Sequence, residues 1–182
     1  FYIDHVRWTV SGGGGSTTNL LLSEDFSGSS FDSLPSGVWT VENYGSGNIW
    51  VLDTSDQRAE VKYSSSSQTE DTYLVSPVID CSGCTSVELK FWEQFRGGYS
   101  TYWSYGYVLG STDGGATWNA YSNCLHAYPP DAPDTTEPAH EVTLDMSWAA
   151  GHSNVRIAWR YYGKYDWWWH VDDVEVTGSC GP

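Results

Sequence analysis

Two stretches of this 182-residue chain gather aromatic side chains well beyond what packing a small domain requires. The first holds Tyr99, Tyr102, Trp103, Tyr105 and Tyr107, just after Gly97 and Gly98; the second holds Tyr161, Tyr162, Tyr165, Asp166, Trp167, Trp168 and Trp169. Successive side chains of a strand point to opposite faces, so three consecutive tryptophans cannot share one side. At least one must lie outward or on a loop. An exposed indole or phenol offers a flat apolar surface that can stack on a pyranose ring, while nearby Asp, Gln or Arg bind the hydroxyls. On this reading the ligand-binding residues are Tyr99, Tyr102, Trp103, Tyr105, Tyr165, Asp166, Trp167 and Trp168. The competing explanation is cross-strand ring pairing that only braces the sheets. Trp39, Trp50, Phe91, Trp148 and Trp159 are expected in the core.

Charge narrows the ligand. The chain carries 23 acidic residues against 8 Lys and Arg, a formal net charge of −15. Nucleic acid needs clustered cations to neutralise phosphate, so it is excluded as a partner. Anionic membranes and sulfated polymers are disfavoured for the same reason, and no apolar run is long enough to predict membrane insertion. Neutral glycans, proteins and divalent cations remain. Catalysis has little support. Glycoside hydrolysis needs two carboxylates at a set separation, and nothing singles out a pair among Glu93, Asp166, Asp172, Asp173 and Glu175. Hydrolase, zinc-protease and phosphate-loop motifs are missing. The four cysteines fit an exported protein with structural disulfides, Cys81–Cys84 with Cys124–Cys180 being the favoured pairing of three.

The elements that must position these side chains read as strands. Short alternating runs rich in Val, Tyr, Trp, Ile and Thr, punctuated by Gly, Ser, Asp and Pro, predict strands at 20–26, 37–42, 48–52, 58–63, 72–76, 86–95, 103–112, 117–122, 139–145, 154–162 and 168–177. No helical periodicity is present, so the class is all-β. Ser111-Thr112-Asp113-Gly114-Gly115-Ala116-Thr117-Trp118 has the form of an Asp-box hairpin, with Asp accepting turn N–H bonds and Gly supplying positive φ. Residues 126–138 hold four of the seven prolines and predict a long irregular loop. Residues 11–19 read as a Gly/Ser linker. Before it, Tyr2-Ile3-Asp4-His5-Val6 repeats the pattern of His170-Val171-Asp172-Asp173-Val174. Residues 1–10 are therefore expected to be the last strand of a preceding related module, 20–182 the module itself, and the whole a piece of a larger multidomain polypeptide.

Glu24-Asp25-Phe26, Leu34-Pro35-Ser36-Gly37-Val38-Trp39, Tyr73-Leu74-Val75-Ser76-Pro77-Val78-Ile79-Asp80, the 111–118 box, Arg160-Tyr161-Tyr162-Gly163 and Asp172-Asp173-Val174-Glu175-Val176 occur in an order that resembles the cleaved-adhesin and choice-of-anchor J domains. These are relatives of MAM domains and of jelly-roll carbohydrate-binding modules. The resemblance implies an antiparallel jelly-roll β-sandwich that is secreted, non-catalytic and attached to a protease, glycosidase or adhesin. It also implies a structural calcium ion between the first and last strands, with Glu24, Asp25, Asp172 and Asp173 at the matching positions. The expected function is an extracellular accessory module that binds a neutral glycan or polysaccharide. A protein-binding adhesion domain is the alternative, and a spacer without ligand the third.

Overall fold

The computed structural model describes residues 17–97, 102–128, 135, 136 and 138–181. Two antiparallel sheets carry the chain. The strands are β1 (Thr17–Glu24), β2 (Thr40–Asn43), β3 (Val51–Asp53), β4 (Arg58–Lys62), β5 (Glu70–Val75), β6 (Cys84–Gly97), β7 (Trp103–Ser111), β8 (His126–Tyr128), β9 (Thr135–Thr136), β10 (His140–Asp145), β11 (Arg156–Lys164) and β12 (Trp168–Cys180). One sheet has five strands in the order β2-β5-β11-β7-β8. The other has seven, in the order β10-β6-β12-β4-β3, with β1 also on β12 and β9 also on β6.

Strict alternation decides what each sheet buries. In β11, Ile157, Trp159 and Tyr161 point inward, while Arg160 and Tyr162 point out. Trp39, Trp50, Phe91, Phe95, Trp159 and Trp169 fill the space between the sheets, each large ring contributing roughly 2–3 kcal/mol of burial. Trp39, Trp50, Phe91 and Trp159 are core as expected. Trp148 is not, because its indole lies half-buried over Gly110 at the sandwich edge, where a Cβ would collide with it.

β12 has two successive neighbours on one side. Trp168 to Val171 pair with β4, and Val174 to Cys180 pair with β1. Asp172 and Asp173 fall in the gap between them, at a register shift, with Asp173 at φ +46°.

Several expectations need correction. The disulfide is Cys84–Cys180, because β6 and β12 pair with these residues opposite each other. Cys81 and Cys124 are free: Cys81 lies in the core, its thiol pushed up to about 11 by burial, and Cys124 packs beneath the outer tyrosines. Burial raises both thiols, which disfavours the reactive thiolate. No strand forms over 117–122, where one 3-10 turn, Tyr121–Asn123, follows the Asp-box. Strand pairing occurs instead in the segment expected to be irregular, at β8 and β9. β1 begins at Thr17, so the last three residues of the expected linker 11–19 belong to the sandwich. Residues 1–10 lie outside the described residues. The Asp-box is structural as expected. Asp113 accepts bonds from Ser111 and from the Thr117 N–H and hydroxyl, which bring its carboxyl down to about 2, and Gly114 and Gly115 both take positive φ.

One buried carboxylate ties the two sheets together. Glu93 of β6 accepts hydrogen bonds from Tyr128 and Trp169, and His126 Nε2 lies 2.8 Å from it. His126 and Tyr128 belong to the five-stranded sheet, Trp169 to the other.

Candidate functional site

The outward residues of the five-stranded sheet are mostly rings. Register places Tyr73, Arg160 and Tyr107 in one row across β5, β11 and β7, then Asp71, Tyr162 and Tyr105 in the next. Trp103 follows opposite Lys164. Trp103 meets Tyr162 at 4.8 Å between centroids and Tyr105 at 5.8 Å, and Tyr105 stacks on Tyr107 at 5.9 Å. Tyr107 meets Tyr121 at 4.9 Å, and Tyr44 meets Tyr73 at 5.5 Å. The result is a continuous aromatic pavement whose margins are open to water: Tyr44 is 69% exposed and Tyr121 45%.

Arg160 sits at the centre. Its guanidinium lies over Tyr73, Tyr121 and Tyr162, and it donates to both oxygens of Asp71, at 2.7 and 2.9 Å. Burial is the largest influence and works against this charge, but the Asp71 bond together with the neighbouring Tyr73, Asp71 and Tyr121 outweighs it and the arginine pKa is raised. Burial also raises the phenol of Tyr73, aided by its 3.1 Å contact with the Tyr121 hydroxyl, and that of Tyr107. The face therefore presents neutral phenols and one compensated cation, which suits a ligand without net charge.

The seven described members of the expected binding set are spread over more than one cluster of rings. Trp103 and Tyr105 lie on the pavement. Tyr102, Tyr165 and Trp167 form a second cluster with Tyr63 at the end of the sandwich, Tyr165 lying 4.8 Å from both Tyr63 and Tyr102. Arg96 covers the Trp167 ring at 3.4 Å. Tyr165 and Trp167 both have positive φ, so the β11–β12 hairpin tip holds its rings at a backbone cost of about 1–3 kcal/mol each. Asp166 between them turns inward and is fully buried, accepting from Ser104 at 2.9 Å. In this position it braces the hairpin from within. Trp168 belongs to the opposite sheet, since Trp169 takes the inward position; its ring stacks on His170 at 4.1 Å. Tyr99 lies outside the described residues. The expected binding set leaves out Tyr44, Tyr73, Tyr107, Tyr121, Arg160 and Tyr162 of the pavement. Alternation in Trp159-Arg160-Tyr161-Tyr162 was the available signal for the last two; Tyr44 and Tyr121 reach the face from loops and gave none.

The four expected calcium ligands are also divided. Glu24 is buried, and its carboxylate accepts the Phe26 N–H at 2.8 Å and the Ser36 hydroxyl. Asp25, Asp172 and Asp173 remain near one another at the gap in β12. Burial pushes the Asp172 carboxyl up to about 6, helped by repulsion from Asp173 and Asp25. Among the described residues no three His, Cys, Asp or Glu side chains converge to hold a metal ion.

No family model matches the chain, and no curated protein does. Solved structures do. The K3 cleaved adhesin domain of Lys-gingipain from Porphyromonas gingivalis superposes with a TM-score of 0.60 at 21% identity, over 88% of this chain and 99% of that domain. The K1 cleaved adhesin domain of the same protein gives 0.57 at 19%, over 88% and 97%. A carbohydrate-binding module with specific mannan recognition gives 0.52 at 12%, over 89% and 98%. Two antiparallel sheets in this order, matched over the length of such domains, make the chain an all-β jelly-roll sandwich of the kind seen in cleaved adhesin domains and carbohydrate-binding modules.

Proposed function

We propose that this is a non-catalytic, extracellular binding module that takes a neutral glycan or polysaccharide on the tyrosine pavement of the five-stranded sheet. The observation that carries the reading is the contiguous row Tyr73, Tyr107, Tyr105, Tyr162 and Trp103 around an Arg160 already neutralised by Asp71. Rings of this kind give stacking area, and the guanidinium and phenol groups give hydrogen bonds, without a net charge that a neutral sugar would have to pay to desolvate. Retention in affinity gels containing soluble polysaccharides tests it. Tyr105→Ala and Trp103→Ala should fold normally and lose retention, and full retention by both would overturn the reading.

A protein ligand is the second reading. It is supported by the enrichment of Tyr, Trp and Arg, the residue types that anchor protein interfaces, and by the adhesin domains among the structural neighbours. Binding to immobilised extracellular-matrix proteins with no response to any polysaccharide would select it. The calcium part of the proposal rests on Asp25, Asp172 and Asp173, whose mutual repulsion a divalent cation would relieve. If it holds, calcium should raise the melting temperature and EDTA should lower it, and an unchanged temperature would remove it. Placement in a longer secreted polypeptide is supported by the disulfide and by the chain's likeness to adhesin domains.

A further inference from the structure

Among the described residues, the outer side of the seven-stranded sheet carries one exposed large ring. Trp92 of β6 is 42% exposed. In register, Glu141 of β10 stands on one side of it and Asp172 of β12 on the other, and the next outward row places Gln94 opposite His170. The indole walls two hollows. One, of about 260 Å³, is bounded by Arg58, Gln94, His170 and Asp172; the other, of about 270 Å³, extends along Lys90 and Glu141. Pockets for drug-sized molecules run from about 300 to 1,000 Å³, so each hollow suits a single ring.

Two features distinguish this place from an ordinary surface tryptophan. The change of partner along β12 leaves Asp172 beside the hollow with no ion pair within 4 Å among the described residues. His170, which lines the same hollow, is nine-tenths buried; its Nε2 lies 2.7 Å from Glu60, while its Nδ1 has no hydrogen-bond partner among the described residues. Buried polar atoms are nearly always paired, so this unpaired atom on a residue that lines the hollow is a candidate partner for a ligand hydroxyl.

We propose that Trp92 is the platform of a second binding site for a neutral sugar ring, on the sheet opposite the tyrosine pavement, with Gln94, His170 and Asp172 reading the hydroxyls. The proposal extends the glycan reading through the same stacking chemistry but rests on different residues. Face-to-face sheets lie about 10 Å apart with their outer surfaces turned away from each other. A short oligosaccharide cannot occupy both sites, so the module would bridge two glycan chains and gain avidity from a surface rather than from a single chain.

Calorimetric titration with β-1,4-mannohexaose and β-1,4-galactotriose tests it, with circular dichroism to confirm folding of each variant. Wild type should bind two equivalents of a recognised sugar. Trp92→Ala should retain one, Gln94→Ala should weaken the same site roughly tenfold, and Tyr105→Ala should remove the other. Unchanged stoichiometry and affinity in both Trp92→Ala and Gln94→Ala overturns the second site while leaving the tyrosine pavement standing. Loss of all binding in Trp92→Ala with none in Tyr105→Ala does the reverse: it keeps the Trp92 site and removes the pavement. Failure of wild type to bind either sugar counts against both.

Discussion

The two outer faces of the sandwich handle exposed aromatics differently. On the five-stranded sheet the rings touch in series, from Trp103 through Tyr105 and Tyr107 to Tyr121, so each partly shields its neighbour and the margins are the most open to water. On the seven-stranded sheet Trp92 stands apart, Trp168 is spent on His170, and charges fill the spaces, with Glu60 held by Lys62 at 2.6 Å. The first face is apolar and nearly neutral, with extended stacking area. The second offers isolated rings among carboxylates and amides. Contiguity therefore decides whether a ring belongs to a platform or to a pocket wall, and counting aromatics along the chain cannot tell these apart.

Breaking what both faces stand on should have the largest effect. Cys84 and Cys180 close a loop with a sequence separation of 96, so Cys84→Ala with Cys180→Ala is expected to cost about 4 kcal/mol in chemical denaturation, and both faces should fail together. Glu93→Ala leaves Trp169 and Tyr128 without their acceptor and should cost about 3 kcal/mol. Arg160→Ala would separate the faces. It should lower stability by about 1–2 kcal/mol through the orphaned Asp71 and abolish pavement binding, with the Trp92 hollow unaffected. Tyr105→Ala should change stability by less than about 1 kcal/mol while removing measurable pavement binding.

The smallest effect is pH-dependent and confined to the seven-stranded face. Asp172 has its folded pKa raised to about 6, so the folded state holds its proton more tightly than the unfolded chain does, and this residue's penalty grows as pH rises from about 4 to 6. His170 is lowered to about 4, chiefly by burial and then by Arg58, so its contribution is intact above about 6.5 and is lost as pH falls towards 4. The two oppose each other in one window. Asp172→Asn should stabilise the protein at pH 7 and steepen its loss of stability below pH 6, whereas His170→Gln should flatten that loss. Parallel melting curves from pH 4 to 7 for both variants check this, and identical profiles would show that neither residue titrates as described.

Much of the fold was legible in the chain. Alternation places ten of the eleven expected strands on observed ones, because a strand with one buried face writes a period of two into its residues. The exception, 117–122, has Trp118 and Tyr121 packing from a loop onto the outer tyrosines, and rings used this way mimic strand spacing. β8 was hidden by its prolines' neighbourhood and by its length of three residues. The site was half legible. The residue pattern points to Trp103 and Tyr105, but it does not say which member of a tight hairpin turns inward, and that member is Asp166.

Composition alone determined the chemistry available to this protein: an acidic, ring-rich, helix-poor chain that builds sheets, repels polyanions and has aromatic surface left over. Tertiary structure decided where that surplus goes. Register across β5, β11 and β7 assembled the pavement from residues up to 91 positions apart in sequence (Tyr162 and Asp71 facing each other across the β5–β11 pair), the pairing of β6 with β12 chose the disulfide, and the change of neighbours along β12 left Asp172 beside the Trp92 hollow. Those outcomes depend on which strands meet, and strand pairing is a property of the packed whole that no local pattern encodes.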